Sequence, residues 1–239
     1  MIFFSPFSSI FMIYLLAAIL PAAFLLYYIY KEDYLDKEPG YLLKDLVICG
    51  FKSALAAIII ELVVARILPM FFDISNISYV FIDAFIGIAL VEETCKFYFL
   101  KKRTYHDFNF NYTFDGIVYA VFVSLGFALL ENIQYVFTYG LNVAFTRAIT
   151  AIPAHMAFGV VMGYFYARYK MHTEYYHPAK AKINLIMSII APIVLHGIYD
   201  SLAMINTSNV STLFFIFIIL LFVLVYYLVK KEKREDHLI

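Results

Sequence analysis

The feature that most constrains this fold is a series of apolar stretches, each long enough to cross a lipid bilayer as a helix. A transmembrane helix needs about 20 predominantly apolar residues. Seven stretches meet this requirement, near residues 8–30, 43–68, 79–100, 114–138, 143–168, 183–205 and 211–229. Because backbone groups in lipid must form hydrogen bonds within their own segment, such stretches fold as helices. The sequence therefore predicts an all-α, polytopic transmembrane helix bundle of about seven spans.

The composition supports this fold class. Of the 239 residues, 64% are hydrophobic and only 15% are charged, which excludes an ordinary soluble domain. The 18 basic residues balance the 18 acidic residues, so we expect no nucleic-acid partner. The connections between the apolar stretches are short. Residues 1–239 are therefore predicted to form a single transmembrane domain in contact with the lipid bilayer.

The distribution of lysine and arginine predicts the orientation of the helices. Basic residues gather after the first, third, fifth and seventh stretches, whereas the other connections carry few of them. Cytoplasmic loops of membrane proteins are enriched in these residues. We therefore expect the N-terminus outside the cell, the C-terminus in the cytoplasm, and a multi-pass protein of the cell membrane.

Four predicted spans carry polar side chains at positions where the bilayer makes them costly. In chain order, these residues are Glu92, Glu93, Lys96, Glu131, Asn132, His155, His196 and Asp200. A charged residue at the bilayer centre costs about 2.5–3.5 kcal/mol, so a group of them implies compensation by pairing, metal or water. With a helical rise of about 1.5 Å per residue, Glu92, Glu131, His155 and His196 fall at a similar depth. The sequence therefore predicts one polar site to which four helices contribute.

The residue types of this site suit the hydrolysis of a peptide bond. A glutamate in apolar surroundings can take a proton from water and return it to the leaving amine, and Glu92 or Glu93 is the candidate for this role. Histidines can bind a metal or support a developing oxyanion. Asp200, one helical turn after His196, can orient the ring of that histidine. Two mechanisms remain open at this point, a water bound to zinc and a water activated by glutamate without metal.

The fifth predicted span has a face of small residues. Ala151, Gly159 and Gly163 lie on the same side of the helix as His155. Small residues allow the backbones of membrane helices to approach each other closely. We therefore expect a neighbouring helix to pack tightly beside His155.

Each of these residues also has a structural interpretation. Glu92 and Lys96 could form an ion pair that only joins two helices, and a single histidine could serve only as a hydrogen-bonding contact. Glu131 with Asn132 could cap a kink. The other ionisable residues of the spans lie nearer the helix ends, where long side chains reach the membrane surface, so we assign structural roles to Lys52, Glu61, Arg66, Asp83 and Arg147. Arg147 differs from the others because it lies on the same face as His155.

Four short motifs occur in order, each on its own predicted span. EExxK, FxxxEN, HxxxG and HxxxD begin at Glu92, Phe127, His155 and His196. Together they resemble the PrsW family of intramembrane proteases, which is related to the type II CAAX prenyl endopeptidases and the bacteriocin-processing enzymes. The resemblance implies a protease of the bacterial cytoplasmic membrane that cuts a single-pass membrane protein, with an anti-sigma factor as the family's best-known substrate.

The resemblance also implies roles for individual residues. The catalytic residues would be Glu92, Glu93, Glu131, His155 and His196. The supporting residues would be Lys96, Asn132 and Asp200. Zinc is the candidate cofactor, and its candidate ligands are His155, His196 and Glu131.

Two other functions are compatible with a polar site inside a helix bundle. A seven-helix protein with its N-terminus outside and with paired histidines also resembles the scaffold subunit of gamma-secretase, although EExxK argues against a non-catalytic scaffold. An ion-coupled transporter could use buried acids and histidines as a relay. Transporters usually contain repeated halves, and no internal repeat is visible in this sequence. We therefore predict an intramembrane endopeptidase.

Overall fold

The structure is a computed structural model that describes residues 6–205 and 207–239, and these residues are almost entirely helical. Within them the chain forms nine α-helices and no β-strand. The helices are α1 Pro6–Glu32, α2 Gly40–Ile67, α3 Ile77–Ile82, α4 Leu90–Thr104, α5 Thr113–Tyr139, α6 Leu141–Ile149, α7 Ala151–Glu174, α8 Pro178–Met204 and α9 Ser208–Arg234. A 3₁₀ turn at Leu68–Met70 extends α2, and a π-helical segment at Asp83–Ala89 joins α3 to α4.

Six helical segments of the described chain are long and apolar enough to cross a membrane. They contain α1, α2, α5, α6 with α7, α8, and α9. The remaining predicted span, 79–100, falls in the helical run from α3 through the π-helical segment to α4. This run is less apolar because it carries Glu92, Glu93 and Lys96. The all-helical transmembrane bundle is thus confirmed, and the orientation of its ends stays a prediction.

The predicted fifth span, 143–168, is two helices instead of one. Helix α6 ends at Ile149, and α7 begins at Ala151. Pro153 explains the interruption, because a proline ring clashes with the carbonyl four residues earlier, which is that of Ile149. At the other end of α6, Gly140 has a φ of 88°, a conformation that glycine adopts readily, and it separates α5 from α6.

Helix α5 lies at the centre of the bundle and packs closely against α7. A Cβ atom added to Gly163 of α7 would lie within 3.0 Å of backbone atoms of Gly116 and Ile117 in α5. Farther along the same helix pair, the Ser124 hydroxyl donates to the His155 carbonyl oxygen at 2.6 Å. The predicted close packing beside His155 is therefore confirmed, and α5 fixes the position of this histidine.

The π-helical segment between α3 and α4 packs against α8. The ring of Phe85 lies over Gly197, where an added Cβ atom would come within 3.0 Å of the ring. A π-helical turn carries one more residue than an α-helical turn, so it shifts the face that the following helix presents. The packing of this segment on α8 therefore fixes α4, which carries Glu92, relative to α8, which carries His196.

The connection between α1 and α2 carries two acidic side chains that the fold buries. Asp33 is 2% exposed and Glu38 is 5% exposed, and each has a buried carboxylate oxygen without a hydrogen-bond partner among the described residues. Burial raises the pKa of Asp33 to about 6 and that of Glu38 to about 7, and the nearby Asp33 carboxylate adds to the effect on Glu38. The folded protein therefore holds protons on these groups more tightly than the unfolded chain does.

This shift predicts how Glu38→Gln changes stability with pH. Because the folded-state pKa is raised, stability falls as the pH rises from about 4.5 through about 7. The glutamine cannot ionise, so the variant should gain several degrees of melting temperature over wild type at pH 8 and almost none at pH 5. Thermal unfolding in detergent measures this difference. Glu235→Gln, an exposed glutamate near the same end of the bundle, is the control; an equal change at both pH values would contradict the prediction.

Candidate active site

The structure brings the residues of the four motifs into one polar cluster, at the wall of a cavity of about 370 Å³. Helix α4 contributes the acidic pair, α5 contributes Glu131, α7 contributes His155 and α8 contributes His196. The acidic residues, arginine and histidines that line the cavity are Glu61, Glu92, Glu131, Arg147, His155, His196 and Asp200. The predicted site at the junction of four helices is thus present as a structural cluster.

The ammonium group of Lys96 lies at the centre of the cluster. Its Nζ donates to Glu92 Oε2 at 3.0 Å and to Glu93 Oε1 at 2.7 Å, and it lies 3.2 Å from His155 Nδ1. The Phe127 ring covers it at 4.0 Å from the ring centroid. Lys96 is fully buried, so this one cation compensates much of the cost of burying two carboxylates.

The contacts of His155 define its protonation. An ammonium group can only donate, so Nδ1 must accept from Lys96 and carry no proton. The proton then lies on Nε2, which donates to Glu131 Oε2 at 2.9 Å. His155 is therefore a neutral imidazole. Its ring orientation is set by Lys96 on one side and by Glu131 on the other.

Glu131 is also bound from α6. Arg147 Nη2 lies 2.9 Å from Glu131 Oε2, and Arg147 Nε donates to Asn132 Oδ1 at 2.9 Å. Asn132 in turn donates to the Ala18 carbonyl oxygen of α1 at 2.9 Å. Asn132 thus lies behind the site and joins α1, α5 and α6, and it does not line the cavity.

His196 lies between two carboxylates. Its Nδ1 is 2.8 Å from Glu93 Oε1, and its Nε2 is 3.2 Å from Asp200 Oδ2. The hydrogen bond to Glu93 places a proton on Nδ1, because a carboxylate only accepts. Asp200 Oδ2 forms no hydrogen bond among the described residues, so Asp200 acts on Nε2 as a nearby negative charge. The Phe158 ring stacks on the His196 ring with centroids 4.7 Å apart. Asp200 therefore contacts His196 as the spacing of HxxxD predicts.

The two adjacent glutamates of EExxK have different surroundings. Glu92 lines the cavity, and its Oε2 lies 3.9 Å from His196 Nδ1. Glu93 is fully buried and does not line the cavity. Only Glu92 of this pair can therefore meet a molecule that enters the cavity.

The donor atoms of this cluster suit zinc by type, but the arrangement does not fit the ion. Among the described residues, Glu92, Glu93 and His155 offer ligand atoms within 4.8 Å of one another. The Lys96 ammonium, however, already lies 2.7–3.2 Å from an atom of each of the three. A zinc ion would need the same place, because its ligands lie at about 2.0–2.2 Å. The three residues whose ligand atoms lie this close together also differ from the predicted ligands, which were His155, His196 and Glu131.

Two residues that we assigned to helix ends lie in the cavity wall instead. Glu61 of α2 and Arg147 of α6 both line it. For Arg147, the shared face with His155 was the available signal, although the break at Thr150 changes the relation of the two helices. For Glu61, the sequence carried no signal, because its exposure to the cavity depends on how α2 is rotated against α4 and α5.

Comparison with known proteins identifies the family. A family model described as "PrsW family intramembrane metalloprotease" matches residues 38–229. "Protease PrsW" of Oceanobacillus iheyensis is 36% identical over 219 residues, which are 92% of this chain and 95% of that protein. "Protease PrsW" of Clostridioides difficile is 32% identical over 227 residues, 93% of this chain and 91% of the relative.

"Protease PrsW" of Bacillus subtilis is 32% identical over 186 residues, which are 77% of this chain and 79% of that protein. No solved structure matches the chain. The family match covers most of the sequence and includes all four motifs, and the relatives are bacterial proteins of nearly the same length. The chain therefore belongs to the PrsW family of intramembrane metalloproteases, and it is a multi-pass membrane protein.

Proposed function

We propose that this protein hydrolyses a peptide bond of a membrane-anchored protein with a water molecule that Glu92 activates, without a zinc ion. The observation that carries the proposal is the position of Glu92, which faces the cavity while Lys96, Glu93 and His196 surround it. Family membership favours proteolysis over the scaffold and transporter alternatives.

The chemistry needs a base and a group that stabilises negative charge. A water in the cavity that donates to Glu92 attacks the carbonyl carbon of the substrate, and Glu92 takes the water proton as the new C–O bond forms. A doubly protonated His196 stabilises the oxyanion through Nε2, the ring nitrogen that lies 3.2 Å from Asp200 Oδ2. The C–N bond then breaks, and Glu92 gives its proton to the leaving amine nitrogen.

The other polar residues of the motifs orient these two groups. Glu93 accepts from both Lys96 and His196, so it ties the base to the oxyanion-stabilising ring. His155 and Glu131 extend the network to Arg147 and form the opposite wall of the cavity. We assign Glu93, Lys96 and Asn132 positioning roles because none of them lines the cavity. Asp200 does line it, and we assign it the role of orienting His196.

The substrate we propose is a single-pass membrane protein, with an anti-sigma factor as the candidate. The cavity lies among helices that are long and apolar enough to span a membrane, so a peptide reaches it from the bilayer. A helical segment must unwind before cleavage, because its amide groups are otherwise hydrogen-bonded within the helix. A volume of about 370 Å³ admits a few residues of an extended chain and not a whole helix.

Glu92→Gln tests the role of the base. The amide keeps the size of the side chain but cannot take a proton from water, so cleavage should fall by a factor of at least about 100. The measurement is the cleavage rate of a single-pass substrate by purified protein in liposomes. Glu174→Gln, an exposed glutamate at the end of α7, is the control and should cleave at the wild-type rate. Cleavage by Glu92→Gln at the wild-type rate would refute the proposal.

Lys96→Met tests whether the ammonium takes the place of a metal. Wild-type protein purified without chelators should carry far less than one zinc per chain, and chelators should not reduce its activity. Removal of the ammonium opens the space between Glu92, Glu93 and His155, so the variant should bind zinc more tightly than wild type. Lys102→Met, on the exposed side of α4, is the control.

Metal analysis of the purified wild-type protein measures its bound zinc, and zinc titration compares the zinc affinities of wild type and Lys96→Met. One zinc per wild-type chain, with activity lost to a chelator and restored by zinc, would contradict the metal-free mechanism. Zinc affinity that is the same in Lys96→Met and wild type would contradict the position assigned to the ammonium.

A further inference from the structure

The cavity contains one carboxylate that the catalytic network does not use. Glu61 of α2 lines it, and its Oε1 atom is buried with no hydrogen-bond partner among the described residues. The helix around Glu61 offers the cavity only apolar side chains, among them Ile58 and Leu62. An unpaired carboxylate on an apolar wall is unfavourable, so its presence calls for a partner that arrives from outside the chain.

The other carboxylates of the cavity differ from Glu61 because each lies within 3.2 Å of a basic nitrogen atom, although Asp200 Oδ2, like Glu61 Oε1, forms no hydrogen bond among the described residues. Glu92 is 3.0 Å from the Lys96 ammonium, Glu131 is 2.9 Å from Arg147, and Asp200 is 3.2 Å from His196. These pairs hold the catalytic groups together. Glu61 forms no ion pair of this kind among the described residues, and it is therefore the carboxylate that is available to a ligand.

The balance of acidic and basic groups around the cavity also favours a positively charged ligand. Five carboxylates surround the cavity or lie directly behind it, those of Glu61, Glu92, Glu93, Glu131 and Asp200. Three basic side chains face them, those of Lys96, Arg147 and His196. Carboxyl groups thus outnumber basic groups, and in the low dielectric of a helix bundle a positively charged group that enters is attracted to them.

We propose that Glu61 determines specificity by binding the side chain of a lysine or arginine of the substrate, close to the peptide bond that is cut. This inference rests on the proposed function, because it assigns Glu61 to the cavity in which cleavage takes place. Glu61 and Glu92 line the same cavity, so a basic side chain adjacent to the cleaved bond reaches Glu61 while the peptide carbonyl lies beside Glu92. The preferred substrate is then a membrane segment with one basic residue among apolar ones.

Such a preference also has a physical advantage inside a membrane. A lysine or arginine in an apolar segment is costly to hold in lipid, and pairing with Glu61 removes that cost for both groups. The pair forms only when the segment leaves its helical conformation far enough to enter the cavity. The binding energy of the basic residue therefore assists the unwinding that cleavage requires.

The test uses full-length protein in liposomes and a set of single-pass substrates that differ at one residue. Lysine is moved through successive positions around the cleaved bond, and each lysine substrate is compared with the methionine substrate of the same length. Wild-type protein should cleave one lysine substrate with a kcat/KM at least about tenfold above that of its methionine counterpart, mainly through a lower KM.

Variants at Glu61 should change this preference without removing activity. Glu61→Gln should cleave the lysine and methionine substrates within about twofold of each other, at the rate that wild type shows for methionine. Glu61→Lys should prefer a substrate with glutamate at that position, a reversal that loss of folding cannot produce. Asp83→Asn is the control, since Asp83 is a carboxylate of the neighbouring π-helical segment that does not line the cavity, and it should keep the wild-type preference.

The outcomes separate the two proposals. Wild-type protein that cleaves lysine and methionine substrates equally at every position would overturn the role of Glu61 and leave the proposed proteolysis intact. A lysine preference that persists in Glu61→Gln would overturn it as well. Wild-type protein that cleaves none of the substrates, whatever their charge, would count against the proposed function itself.

Discussion

The burial of the Lys96 ammonium between two carboxylates and an imidazole is the interaction on which the site depends. Glutamates inside a membrane helix need a counterion, and Lys96 supplies one from the same helix, three and four residues after the pair. This local arrangement also determines what the neighbouring helices can do. Because Lys96 can only donate, it fixes His155 as a neutral ring with its proton toward Glu131. One buried cation thus orients groups on α4, α5 and α7.

The scaffold around this cation is held by close packing and not by loops. Glycines of α5 and α7 bring the two backbones together, and the Ser124 hydroxyl links the helices at the level of His155. In the π-helical segment, the Phe85 ring packs on Gly197, and this contact fixes the position of α4 relative to α8. Each side chain of the polar cluster therefore comes from a helix whose neighbours restrict its rotation, which is the condition for a preorganised site.

The sequence predicted the helical class and the convergence of four motifs because both follow from one-dimensional rules. Apolar length identifies the spans, and residues four apart must share a face, as His196 and Asp200 do. It did not predict that Glu61 lines the cavity, since that depends on the rotation of α2 within the bundle. Nor did it predict which atoms converge, because the candidate zinc ligands followed from a family resemblance, which carries no side-chain geometry, and the structure places Lys96 at the centre instead. The interruption at Thr150 could have been expected from Pro153.

The adjacency of Glu92 and Glu93 is the reason that the two residues cannot have the same role. Neighbouring residues of an α-helix point about 100° apart, so a helix that turns Glu92 to the cavity must turn Glu93 into the protein. The buried glutamate then accepts from the Lys96 ammonium and bonds the His196 ring, and both of these groups also lie beside the Glu92 carboxylate that lines the cavity. A base that acts inside a membrane needs such cationic neighbours, because an isolated carboxylate there would take up a proton and lose the ability to activate water. In the proposed mechanism, the second glutamate of the motif thus positions the groups that surround the first.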